Sequence, residues 1–191
     1  MSERIVIVPR WSGGPDHDWY PWIRRELAGS HPQLRVDVVE LPNRDAPVIE
    51  QCVAALAAEL GRDLSALADT LLVGHSVGCQ AIMRYLAEQP PGPEPELLPK
   101  LVCVAGWWTV DEPWPSIRPW IDTPIDLPRL RANARRVTVL LSDDDPFTRD
   151  HRANGQTWEQ RLDAEVRVHV GGRHFNGGQE PAVLDLIRAM L

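Results

Sequence analysis

Six short runs rich in Val, Ile and Leu, separated by stretches of helical character, constrain this chain more than any other feature. The runs are RIVIVP (4–9), LRVDVVEL (34–41), TLLVG (70–74), KLVCVAG (100–106), RVTVLLS (136–142) and EVRVHVG (165–171). Apolar runs of four to eight residues bounded by turn signals read as strands buried on both faces. Helices alternating between such strands imply a mostly parallel sheet covered on both sides, an α/β architecture. The clearest helix is predicted at 46–60, where Ile49, Cys52, Val53, Leu56 and Leu60 recur at helical spacing, with Asp45 placed to cap it and Gly61 to stop it. A last helix opens at Pro181 with Val183, Leu184, Ile187 and Met190 on one face. In the sixth run Val166, Val168 and Val170 alternate with Arg167 and His169, the pattern of a partly wetted edge strand.

Two segments break the alternation. QPPGPEPELLP (89–99) carries five prolines and is expected to be a surface connection. GWWTVDEPWPSIRPWIDTPIDLPRL (106–130) holds four of the eight tryptophans among five prolines, and is expected to form a short cap after the fourth strand. Neither is read as a domain linker. A chain of 191 residues with 43% hydrophobic content is long enough for one full core, so residues 1–191 are expected to form a single domain.

Composition also narrows the partners. A formal net charge of -7 lacks the basic footprint that nucleic acid or an anionic membrane surface demands. Only four consecutive apolar residues precede Pro9, too few for a signal-peptide core, and no apolar run is of membrane-spanning length, so a cytoplasmic location is expected. Cys52, Cys79 and Cys103 are odd in number and widely spaced in apolar surroundings, which reads as buried free thiols. The DHDW stretch at 16–19 reads as a helix-start cluster and not as a metal site.

The chemistry centres on LLVGHSVGCQAIMRYL (71–86). A parallel strand that turns directly into a helix forces the residue between them into a rare backbone conformation. Glycines at 74 and 78 remove the side chains that would collide there, and Ser76 is raised to a helix N-terminus suited to stabilising an oxyanion. Three fixed residues of roughly 7% abundance each occur by chance in about one chain in fifteen of this length, so the flanking strand and helix carry the argument. A serine hydroxyl also needs a base, oriented by a third group. SDDDPF follows the fifth run and GGRHFNGG the sixth, giving the order Ser76, an aspartate, His174, which is the chain order of an α/β-hydrolase triad. Pro146 makes Asp145 the best placed of Asp143, Asp144 and Asp145, while spacing alone leaves Asp143 open. His75 is expected to point away from its neighbour and serve structurally.

The N-terminal VIVPRWSGGPDHDWYPWIRREL, the elbow GHSVG, the following MRY, and RPW, DDPF and the final HF together resemble the small serine hydrolases of the retinoblastoma-binding protein 9 type, across nearly the whole chain. The resemblance implies a compact α/β-hydrolase fold with little cap, Ser76 as nucleophile, Asp145 as carboxylate and His174 as base. One departure concerns the loop after the first strand, where Arg10 and Trp11 replace the glycine and small or polar residue usual in such relatives. That loop should supply an oxyanion-hole N–H, so the donors are assigned to the backbones of Val77 and Trp11, with Arg10 placing the second in question. The pocket-protein motif Leu-x-Cys-x-Glu is not matched by IEQCVAA (49–55), so retinoblastoma binding is not implied.

Trp107 and Trp108 are assigned to the wall of an apolar acyl pocket, and Trp114 and Trp120 to packing. The expected function is cofactor-free hydrolysis of small esters, thioesters or activated amides, with neither nucleic acid nor membrane as partner. A hydrolase-fold interaction protein without turnover is the alternative. A nucleotide-binding fold is excluded because the turn after the first strand lacks spaced phosphate-cradling glycines.

Overall fold

A computed structural model describes residues 3–92 and 94–191. Pro93, within the proline-rich connection, and Met1 and Ser2 lie outside the described residues. In chain order the elements are β1 (Arg4–Val8), α1 (Tyr20–Ser30), β2 (Arg35–Val38), α2 (Ile49–Leu60), β3 (Thr70–His75), α3 (Val77–Glu88), β4 (Lys100–Val104), α4 (Arg118–Asp122), α5 (Leu127–Asn133), β5 (Arg136–Ser142), α6 (His151–Leu162), β6 (Glu165–His169) and α7 (Pro181–Met190). All six strands pair in parallel in the order β2-β1-β3-β4-β5-β6.

The period of two along each strand divides the core. Val6, Val8, Leu72, Leu101, Cys103 and Val139 face the side covered by α2, α3, α5 and α6. Ile5, Ile7, Leu71, Val73, Val102 and Val104 face α1 and α7. β3 is buried throughout, as its uninterrupted apolar run requires, whereas β6 lies at the edge with Val168 exposed. After β2 the chain crosses back over β1 to begin β3, so strand order reverses between β1 and β3. In open parallel sheets the crevice beyond the carboxyl ends of two such strands is where ligands bind. Register aligns Val8 with Gly74 and His75 with Val104, bringing the ends of β1, β3 and β4 to one edge.

Two expected caps are not formed. α2 begins only at Ile49, behind an extended Val48, and no side chain caps it. Pro47 disfavours helical backbone at the residue before it, which keeps Asp45 out of capping reach. Asp18 does not cap α1 either, because its carboxylate is taken by Arg10. The cap-like segment contains α4 and the start of α5 and is pinned to α3 by Arg84. Its guanidinium donates to the carbonyls of Trp120 and Thr123, both at 2.8 Å, and of Pro124 at 3.4 Å. In the proline-rich connection Pro90, Pro91 and residues 94–97 are exposed as expected, but Gln89, Leu98 and Pro99 at its ends are buried; Cys52, Cys79 and Cys103 are buried free thiols. Among the described residues no helix is long and apolar enough to cross a membrane.

Candidate active site

Ser76 occupies the joint between β3 and α3 at φ 54° and ψ -116°, a region that costs a non-glycine residue on the order of 1–3 kcal/mol. The surroundings hold it there. Its N–H donates to the Val104 carbonyl at 2.9 Å, and its own carbonyl accepts from the Cys79 N–H at 3.0 Å. A Cβ at position 78 would stand 2.1 Å from the Val8 carbonyl oxygen, and one at position 74 would stand 2.6 Å from the Cys79 backbone. Both glycines are therefore dictated by close approach, as the elbow pattern predicts. The turn leaves the Val77 N–H at the start of α3 without a partner among the described residues.

On β1's side, Arg10 settles the conformation of the loop. Its Nε and Nη2 grip Asp18 at 2.7 and 2.9 Å, and its Nη1 donates to the Trp11 carbonyl at 2.7 Å. The Arg10 N–H donates to the Tyr20 hydroxyl at 3.1 Å, the Trp11 indole to the Asp45 carbonyl at 3.0 Å, and the Ser12 N–H to the Arg44 carbonyl at 2.8 Å. The Trp11 N–H is left unpaired among the described residues. Arg10 thus anchors this loop, and its guanidinium is spent on internal bonds.

The three consecutive aspartates have separate tasks. Asp143 accepts the Gly171 N–H at 2.8 Å. Asp144 accepts the Ser142 hydroxyl and the Arg173 N–H, both at 2.6 Å, and these bonds hold its carboxyl below the usual range. Asp145, 2% exposed, turns the other way, taking the Phe147 N–H on one oxygen and His174 Nδ1 on the other, at 2.9 and 2.8 Å. The choice between Asp143 and Asp145 that spacing leaves open falls to Asp145 by contact.

A second buried histidine supports the first. His75 Nε2 bonds the His174 carbonyl at 2.9 Å, and its Nδ1 bonds the Tyr20 hydroxyl at 2.8 Å. A carbonyl only accepts, so Nε2 must carry the proton and Nδ1 must accept from Tyr20, which in turn accepts the Arg10 N–H. Burial, followed by repulsion from His174, holds the His75 pKa well below its ordinary value, while burial pushes the Tyr20 phenol up. Both effects keep this chain neutral. His75 is structural, as expected, and it joins the β1 loop to the backbone of His174. Nothing in the spacing of DHDWYPW singles out Tyr20 for this role.

Ser76 and His174 face one cavity of about 90 Å³. Its polar edge is formed by these two residues with Arg10 and Asn176, and its apolar wall includes Trp11, Trp107, Val110, Trp114, Ile117 and Phe147. Ser76 Oγ accepts the Trp107 indole N–H at 3.3 Å and is not hydrogen-bonded to His174. Trp107 lines the cavity as expected, but Trp108 does not. It turns away to pack on Trp158 at 5.0 Å between ring centroids, with the Arg161 guanidinium over its face at 4.6 Å. Trp114 takes its place in the wall, packed edge-on against Trp11 at 5.4 Å. Trp120 is buried, and its N–H donates to the Pro47 carbonyl. Phe147, Val110 and Ile117 escaped the sequence reading because isolated apolar residues carry no periodic signal.

A parallel sheet with helices on both faces and a strained Ser76 between β3 and α3 defines an α/β-hydrolase. Residues 5–182 match the family model described as Serine hydrolase, and the chain belongs to that family. It is similar to the putative hydrolase YdeN of Bacillus subtilis (strain 168), with 23% identity covering 92% of this chain and 87% of the relative. Similarity to the serine hydrolase RBBP9 of Rattus norvegicus is 24% identity over 98% of this chain and 95% of the relative. Among solved structures, the Bacillus subtilis ydeN gene product superposes with a TM-score of 0.78 at 20% identity, over 98% of both chains.

Proposed function

We propose that this chain hydrolyses small carboxylic esters, thioesters or activated amides through an acyl-enzyme on Ser76. His174 Nε2 takes the Ser76 proton, Oγ then bonds the carbonyl carbon, and the carbonyl's π pair moves to its oxygen. That oxyanion is received by the N–H groups of Val77 and Trp11. Collapse breaks the bond to the leaving group, which takes the proton from His174. Water then repeats the sequence, and the acid is released. Asp145 holds His174 with Nδ1 protonated and Nε2 free to accept, and favours the imidazolium while it lasts. The reaction requires no cofactor, and the partner is a small ester-like molecule.

The observation that carries this reading is the buried 2.8 Å bond between His174 Nδ1 and Asp145, beside a serine held at positive φ in the same cavity. The two donor assignments gain support from the β1 loop, where Arg10 is turned inward and the Trp11 N–H has no other partner among the described residues. The cavity also bears on the acyl group. At about 90 Å³ it is smaller than the roughly 150 Å³ apolar cavity known to admit benzene, which favours a short acyl chain over a long one.

A series of p-nitrophenyl esters from acetate to decanoate tests the proposal. The expected kcat/KM is highest at two to four acyl carbons, falls by about tenfold or more at eight as atoms are forced outside the pocket, and is abolished in Ser76→Ala. Undiminished hydrolysis by Ser76→Ala would refute the mechanism, and a preference for the longest chains would refute the substrate class.

A further inference from the structure

A buried tryptophan N–H seeks an acceptor: Trp120 bonds the Pro47 carbonyl and Trp158 the Gly106 carbonyl, while the N–H groups of Trp19 and Trp108 are buried without a partner among the described residues. Trp107 is different, since its indole N–H points at the hydroxyl oxygen of Ser76, 3.3 Å away. Resting on the reading of Ser76 as nucleophile, we propose that Trp107 is a further catalytic residue whose N–H stabilises the charge on the Ser76 oxygen whenever that oxygen is deprotonated and unbonded to carbon.

The hydroxyl has one proton to give and two lone pairs to receive with, so a bond from Trp107 uses a lone pair and leaves the proton for His174. Indole donates only and does not surrender its proton at working pH, so it cannot compete with His174 as a base. At 3.3 Å the bond to a neutral hydroxyl is long, and it tightens as Oγ becomes anionic, because charge-assisted bonds are shorter and about twice as strong as neutral ones. An interaction weak in the ground state and strong near the transition state is of the kind that accelerates a reaction.

This moment occurs twice. In acylation, charge grows on Oγ as its proton passes to His174 Nε2, before the new bond to the carbonyl carbon consumes the lone pair. In deacylation, the bond between the acyl carbon and Oγ breaks, its electron pair returns to Oγ, and the oxygen then takes the proton from His174. Trp107 donates throughout and changes neither its own bonds nor its charge.

The donor is also held in place. The Trp107 side chain is buried, and its carbonyl accepts Gln80 Nε2 at 2.5 Å. The preceding Gly106 carbonyl accepts both Asn154 Nδ2 at 2.9 Å and Trp158 Nε1 at 3.3 Å. A fixed dipole aimed at the reacting oxygen requires no reorganisation when charge appears there.

The test compares five proteins, checked for folding by circular dichroism, by the rate of fluorophosphonate labelling and by kcat and KM on p-nitrophenyl butyrate. They are the wild type, Ser76→Ala, Trp107→Phe, Trp108→Phe, and a protein with benzothienylalanine at position 107, an isostere carrying sulfur in place of the indole N–H. The isostere keeps the wall intact should Trp107→Phe fold poorly. Both Trp107 replacements are expected to lower kcat and the labelling rate by about ten- to a hundredfold with KM within about twofold, while Trp108→Phe, outside the cavity, matches the wild type. An isostere with wild-type kcat, or one altered only in KM and acyl preference, would reduce Trp107 to a wall of the pocket and overturn the proposal while Ser76 keeps its role. A wild type that does not label, or a Ser76→Ala protein that still does, would remove the nucleophile and this proposal with it.

Discussion

At the scale of single residues, Ser76 at positive φ, the Asp145–His174 pair and the buried His75 lie together at the carboxyl ends of neighbouring strands. In the sequence, strand ends, glycines and the succession of Ser76, an aspartate and His174 point to one edge of the sheet, because each sits at a place where a parallel sheet must turn. What order could not distinguish was which neighbour does which task. Asp143, Asp144 and Asp145 look alike in sequence, and only the loop's course gives the first two to backbone amides and the third to His174. Trp108 and Trp114 exchanged their expected places for a similar reason: an indole can face a cavity or a core, and tertiary approach decides. The buried His75 carries a prediction about pH. Its folded pKa lies well below its ordinary 6.5, so below that value the unfolded chain takes up a proton that the folded one refuses, and stability falls as pH falls. Urea unfolding between pH 7 and 5 should show a loss from this residue of up to about 1.4 kcal/mol per pH unit below 6.5. His75→Gln should be less stable at pH 7 but show a shallower slope; an unchanged slope would mean that His75 is protonated in the fold.

Among the elements, the six strands and the helices α2, α3 and α7 were legible because hydrophobic period is a local property, whereas α1 and α6 were not singled out. The helix boundaries were less legible: Asp45 and Asp18 carry the chemistry of caps, yet Pro47 excludes one and Arg10 claims the other. The 106–130 segment was expected to form a cap, but sequence offered no means of seeing that α3 holds it through a charge. Burial lowers the Arg84 pKa to about 10, still leaving the side chain cationic at neutral pH, and its bonds reach three carbonyls of one segment. Arg84→Met keeps the aliphatic stem and deprives those carbonyls of their donor. The expected result is a loss of about 2 kcal/mol in urea unfolding, with faster proteolysis between residues 106 and 130 and a raised KM. Unaltered proteolysis and KM would show that the segment is held by its apolar contacts alone.

Across the whole molecule, the reversal of strand order between β1 and β3 explains why the functional groups converge. It opens the crevice at the carboxyl edge where the elbow serine, the β1 loop and the loops after β5 and β6 meet. That topology followed from sequence only as a class, since apolar runs announce strands without stating their order. The cavity at the carboxyl edge measures about 90 Å³, and Trp107, Val110, Trp114 and Ile117 of the 106–130 segment form part of its wall. The account depends on one hydroxyl being activated, and peptide mass spectrometry after treatment of the folded wild-type protein with a fluorophosphonate tests this most directly. A single phosphonyl adduct on the peptide containing Ser76 is predicted; an unmodified protein, or an adduct confined to another residue, would contradict it.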